Sequence, residues 1–187
     1  MKADRIGLFG GTFDPPHFGH VAALKAAIAT NLFDYIEVTV AGDPYQKSSS
    51  VQLHSADVRL KMAQAAFDGI EGVRVSDREI KRDGPSYTIH TVRELLKEAE
   101  QVDLLIGADL SSQLDSWHES EQLRSLVKVG VIPRPGGEQE LPLGWSAYLV
   151  PMDPVDLSST YIREAANLNE NLQELVPDPV IPIFEGR

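Results

Sequence analysis

Two histidines three residues apart, His17 and His20, follow the run Gly10-Gly11-Thr12-Phe13-Asp14-Pro15-Pro16. Side chains at i and i+3 of a helix lie on one face, so the pair can present two donors together. Glycine lets backbone N–H groups come close to a ligand, and a helix N-terminus attracts anions. The chemistry that fits is phosphate binding. Two other uses of the pair stay open: a metal site, with Asp14 as the near third ligand, or two plain surface histidines. A second polar set, Ser158-Ser159-Thr160 with Arg163, lies late in the chain. Hydroxyls there can cap a helix while its first N–H groups face outward. That suits phosphate, and equally an ordinary capped helix with a surface arginine. Gly107 and Asp109 follow the apolar run Val102–Ile106. An acid in that place can accept from ribose hydroxyls or cap the next helix. Taken alone, Trp117 is a core candidate. Gly84-Pro85-Ser86-Tyr87-Thr88 is a turn into a helix, and Lys47 is a solvated lysine in a polar loop.

The elements that must position these residues alternate in type. Ile6–Phe9 reads as a buried strand and Phe18–Asn31 as an Ala-rich helix. Tyr35–Val40, Val73–Ser76, Val102–Ile106, Val127–Ile132 and Ala147–Val150 read as further strands. Helices are expected over Ser55–Phe67, Thr88–Glu100, the region from Gly107 through Trp117, Glu119–Leu126, Ser158–Ala166 and Asn169–Leu175. Such alternation predicts an α/β fold, a Rossmann-like three-layer sandwich with a mostly parallel central sheet of five to six strands. Ligands of such sheets bind outside the carboxyl ends of the strands, where the segments above should gather. With 187 residues the chain is expected to form one domain, 1–187, with 156–187 a C-terminal helical segment.

Composition narrows the classes. The formal net charge is −11, which argues against a general nucleic-acid binder. The chain contains no cysteine, so disulfides and thiol catalysis are excluded. No apolar stretch reaches about 18 residues, so no membrane span is expected, and Met1-Lys2-Ala3-Asp4-Arg5 does not resemble a signal peptide. A cytoplasmic address is the expectation. The dinucleotide fingerprint, the P-loop and the nucleophile elbow are all missing from the sequence.

His17-Phe18-Gly19-His20 resembles the H-x-G-H signature of the nucleotidyltransferase superfamily. The longer run Gly10–His20 is similar to that of bacterial nicotinate-nucleotide adenylyltransferases. Four more segments follow in family order: Asp43–Lys47, Ser86-Tyr87-Thr88, Leu105–Asp109 with Trp117, and Ser158–Arg163. The resemblance spans about Ile6 to Val180. The chain departs from it at Ala41-Gly42, where the family commonly has an asparagine, and at Val180–Phe184, where a proline interrupts the usual pattern.

The resemblance implies transfer of AMP from ATP to nicotinate mononucleotide, giving nicotinate adenine dinucleotide and pyrophosphate in NAD biosynthesis, with Mg2+ accompanying ATP. It implies catalytic roles for His17, His20, Lys47 and Arg163. It places ATP against Gly10, Gly11, Thr12, Phe13, His20, Gly107, Asp109, Ser158, Ser159, Thr160 and Arg163. It places the mononucleotide against Gly11, Lys47, Ser86, Tyr87, Thr88, Trp117 and His118. No dedicated protein metal site is expected, and the partners are the two small substrates, with no nucleic acid and no membrane, in a monomer or homo-oligomer. The attacking phosphate is already anionic, so donors and cations are needed rather than a nucleophile and base. The alternatives are an adenylyltransferase for nicotinamide mononucleotide or another phosphorylated acceptor, such as phosphopantetheine, and a nucleotide sensor without catalysis.

Overall fold

A computed structural model describes residues 2–43, 53–136 and 140–186. Among the described residues six strands, β1 (Ala3–Gly11), β2 (Tyr35–Val40), β3 (Val73–Ser76), β4 (Ala99–Gly107), β5 (Val127–Ile132) and β6 (Ala147–Leu149), form one sheet. Their order is β3-β2-β1-β4-β5-β6, and every pairing is parallel. The helices are α1 (Phe18–Ala29), α2 (Ala56–Phe67), α3 (Thr88–Leu95), α4 (Ser120–Leu126), α5 (Ser159–Asn167) and α6 (Ile181–Phe184). Ala108–Ser116 and Asp178–Val180 are 3-10 turns.

The alternation of side chains along a strand divides the core into two layers. Ile6 and Leu8 of β1, with Val102, Leu104 and Ile106 of β4, bury against Ile89, Val92 and Leu95 of α3, Leu114 and Leu123. On the opposite face Phe9, Ile36, Val38, Val40 and Leu105 bury against Ala23, Leu24 and Ala27 of α1 and Ala63 and Phe67 of α2. The small residues of α1 fit here because they let the helix sit close to the sheet. A third cluster docks the chain's end: Ile162 and Ala165 of α5, Leu172, Val176, Val180 and Phe184 close over Met62 of α2. Each fully buried aliphatic side chain contributes about 1.5–3 kcal/mol.

Two helical expectations need correction. The helix expected to reach Glu100 ends at Leu95, and β4 begins at Ala99, which pairs with Ala3 and is buried. The sheet claims those residues because the Ala3 N–H donates to the Glu98 carbonyl at 2.9 Å. The helix expected over Asn169–Leu175 is not one: Asn169 takes a left-handed φ of 58°, and the segment runs as turns. The last helix instead follows Pro177, whose fixed φ suits the entrance to the 3-10 turn that leads into α6.

Reversal of strand order about β1 and β4 creates a crevice at their carboxyl ends. Gly10, Gly11 and Thr12 lie at one side of it and Gly107 at the other.

Candidate active site

The crevice is a cleft of about 470 Å3. Of the expected residues, Gly10, Gly11, Thr12, Phe13, His20, Gly107, Asp109, Ser159, Thr160 and Arg163 line it, as do Ser86, Thr88 and Trp117. His17, Tyr87, His118 and Ser158 do not line it. Lys47 lies outside the described residues, as does most of the Asp43–Lys47 segment.

The first loop is held by packing and hydrogen bonds on several sides. Phe13 has a left-handed φ of 52°, which tucks its ring inward, 2% exposed, among Phe9, Phe67 and His20. A Cβ on Gly11 would stand 2.7 Å from the Phe13 Cζ, so glycine is required beneath that ring. Asp14 is buried under the loop and accepts from the His54 backbone N–H at 3.1 Å and from its Nδ1 side at 2.6 Å. Buried Arg59 of α2 donates to the carbonyls of Thr12, Gly42 and His54, tying this loop to the segment after β2.

The two histidines differ. The His17 backbone N–H donates to His20 Nδ1 at 3.1 Å. That bond makes Nδ1 an acceptor, so neutral His20 carries its proton on Nε2. The rings stack at 3.7 Å. His17 is 1% exposed, and its Nδ1 has no partner among the described residues. Burial, assisted by the charge of Arg134, pushes its pKa down to about 3. His17 is therefore a neutral imidazole at pH 7. A Cβ on Gly19 would lie 2.9 Å from its Nδ1, which explains the glycine between the histidines.

The C-terminal segment is clamped to this loop. Ser159 Oγ donates to the Pro15 carbonyl at 2.9 Å, and Arg163 Nη1 to the Asp14 carbonyl at 2.7 Å. Arg163 Nη2 also donates to Thr160 Oγ1 at 3.1 Å. Ser158 caps α5, accepting from the Tyr161 N–H. The helix entrance and guanidinium thus reach the cleft from α5.

At the other end Ser86 Oγ accepts from the backbone N–H groups of Gly42 and Asp43 at 2.9 and 3.3 Å. This fastens the turn before α3 to the end of β2. Gly42 has no room for a side chain, since a Cβ would meet the Glu79 carbonyl at 2.5 Å. The departure at Ala41-Gly42 therefore puts backbone where a side chain would stand. Trp117 packs against the core, with its Nε1 buried and unpaired among the described residues.

Sequence reasoning missed Arg134, Arg59, Glu79 and Thr39. Arg134 follows β5 at the carboxyl edge, lines the cleft, donates to the Leu157 carbonyl and lies 3.5 Å from Asp109. A cation directly after a parallel strand was its available signal. Glu79 lines the cleft from a buried position and accepts from the Thr91 hydroxyl at 2.7 Å. Arg59 looked like any polar helix residue, and Thr39 like any strand residue; only tertiary packing brings them here.

A glycine loop, a capped helix entrance and arginines around a switch-point crevice make this a nucleotide-binding α/β protein, built to hold phosphates. The family model described as cytidylyltransferase-like matches residues 8–165, and the chain belongs to that family. A protein of Methylibium petroleiphilum named "Probable nicotinate-nucleotide adenylyltransferase" is 40% identical over 183 residues, covering 94% of this chain and 85% of its own. One of the same name from Exiguobacterium sibiricum is 37% identical over 183 residues, covering 97% and 96%. The Plasmodium falciparum nicotinic acid mononucleotide adenylyltransferase complexed with NaAD superposes with a TM-score of 0.79 at 19% identity, covering 98% of this chain and 95% of that one. No helix among the described residues is long and apolar enough to cross a membrane.

Proposed function

We propose that the chain is a nicotinate-nucleotide adenylyltransferase: it moves AMP from ATP to nicotinate mononucleotide, releasing pyrophosphate, in NAD biosynthesis. The observation that carries this is the convergence of the histidine loop and the α5 entrance on the same crevice as Thr88 and Trp117. Kinship with relatives named for this activity supports it.

In the reaction a 5′-phosphate oxygen of the mononucleotide forms a bond to the α-phosphorus of ATP, and the bond to the β-phosphate oxygen breaks. Both groups are anionic, so the protein's task is to hold them in line and stabilise charge in transit. His20, which lines the cleft, is assigned to the α-phosphate. His17, buried and neutral, is a positioning residue that fixes His20 through its backbone and ring. Arg163, Ser159 and Thr160 take the β- and γ-phosphates, and Asp109 the ribose. Lys47 is assigned to the acceptor phosphate. Thr88 and Trp117 form the pyridine end, with the backbone around His118 supplying donors to the carboxylate.

ATP would bring Mg2+ with it, and the ion would offset part of the phosphate charge. The cleft fits that role better than a resident ion: Asp14 and Glu79 are buried and already hydrogen-bonded to protein groups, and Asp109 faces Arg134. We assign residues 1–187 to one domain, with 156–187 completing the ATP end, and a location in the cytoplasm.

The test is kcat/KM for nicotinate mononucleotide, nicotinamide mononucleotide and phosphopantetheine with ATP. The acid mononucleotide should be preferred by at least about tenfold. Equal use of the amide, or activity with phosphopantetheine alone, would refute the assignment.

A further inference from the structure

His90, His118 and Glu119 bring one ligand atom each to within 4.8 Å of one another, outside the cleft described above. We propose that these three residues bind a divalent transition-metal ion of the zinc type, and that the ion pins α3 to the turn preceding α4.

The donor set decides the class of ion. Two imidazole nitrogens and a carboxylate suit Zn2+, Co2+ or Ni2+, whereas Mg2+ prefers oxygen. Three protein ligands leave a fourth position to water. In a tetrahedral site ligand atoms lie about 3.3 Å apart, so small side-chain rotations from the present spacing suffice.

The backbone around the cluster bears an independent mark. Glu119 adopts φ 53° and ψ 41°, a left-handed conformation that residues other than glycine, asparagine and aspartate rarely take. Adjacent residues of an extended chain point to opposite sides. The left-handed turn instead brings His118 Nε2 to 3.5 Å from Glu119 Oε1. Such outliers gather where structure around them fixes a functional geometry.

The neighbours hold the ligands in place. The Tyr87 ring stacks on His118 at 4.0 Å and stands edge-on to His90 at 5.8 Å. His90 and His118 meet edge-to-face at 6.0 Å. Arg93 donates through both Nη atoms to the two Glu119 oxygens, and to Gln122. As an outer partner it orients the carboxylate, in the way groups behind metal ligands commonly do.

The position gives the ion a consequence. Thr88 and Trp117, two residues before His90 and one before His118, both line the cleft. An ion held between their neighbours fixes the distance between α3 and the segment carrying Trp117.

The experiment is titration of the chelator-treated full chain with Co2+, followed by visible absorption and by broadening of histidine resonances. One equivalent should bind, broaden His90 and His118, and be displaced by Zn2+. His90→Asn and His118→Asn should each weaken binding by at least about a hundredfold, and Glu119→Gln by about tenfold. His20→Asn should bind Co2+ as the parent does. Unchanged binding by the double variant His90→Asn/His118→Asn would overturn the proposal. So would loss of binding in His20→Asn, or no ion bound below millimolar Co2+. Resonance broadening in the unsubstituted chain reads the site without relying on how any variant folds.

Discussion

His17 and His20 share one motif and a stacked geometry, yet their surroundings give them different work. His20 lines the cleft, and its Nδ1 accepts from the His17 backbone N–H. Its replacement by alanine should lower kcat by about 10²–10³, the scale of a lost oxyanion donor, with little change in KM for ATP. Steady-state kinetics check this; a near-normal kcat would remove His20 from the reacting centre. His17 makes a statement about stability. Its folded pKa of about 3 lies below the ordinary histidine value of 6.5. Between those values the unfolded chain binds more protons, so stability is full above 6.5 and falls as pH drops through the window. The slope approaches about 1.4 kcal/mol per pH unit for one proton. Urea midpoints from pH 7 to 4 should show that slope, and His17→Asn should remove that share of it. The motif made both histidines visible in the sequence. Their division of labour was hidden, because the His17 pKa depends on its burial against Gly19 and on the charge of Arg134, which is far along the chain.

Strands and helices were the most legible elements wherever a periodic run was bounded by turn residues. Tyr35–Val40, Val73–Ser76 and Val127–Ile132 hold as expected because their β-branched residues face buried layers. The ends were harder to see. Nothing local in Lys97-Glu98-Ala99-Glu100 announces that β1 will draw Ala99 into the sheet. The tail misled at Asn169–Leu175, where Asn169 takes a left-handed φ and the segment runs as turns, while Leu172 is buried without a helix. The loops depend on close contacts between elements. Gly11→Ala should push against Phe13, destabilise by about 1–3 kcal/mol and depress kcat, because the displaced loop is the one proposed to hold ATP. Thermal melting and kinetics together check this; wild-type values in both would show that the ring yields freely. Ser86→Ala should release the turn from Gly42 and raise KM for the mononucleotide more than it lowers kcat.

At the scale of the whole molecule, parallel pairing places every loop that matters at one edge, and the opposite parts of the sheet serve stability. Asp103 of β4 sits buried between Arg5 of β1 and Tyr148 of β6, accepting at 2.9 and 2.5 Å from the guanidinium and at 2.8 Å from the phenol. This network joins strands that are not all neighbours. Burial and Asp103 push the Tyr148 phenol upward, so it stays a donor through neutral pH. Tyr148→Phe should cost about 1–3 kcal/mol with kcat unchanged, since it strips one bond from a buried carboxylate remote from the cleft. Denaturant melts and kinetics separate these effects; a fall in kcat without loss of stability would contradict the assignment. The alternation of elements made the sheet class legible, whereas this cross-sheet network, built from an arginine, an aspartate and a tyrosine spread across 144 positions, was not. The central claim concerns which bond of ATP breaks, and positional labelling tests it most directly. With ATP labelled at the α-phosphate and nicotinate mononucleotide present, label should enter the dinucleotide one-for-one with pyrophosphate released. Label transferred from the γ-phosphate, or no transfer of α-label to the acceptor, would contradict the account.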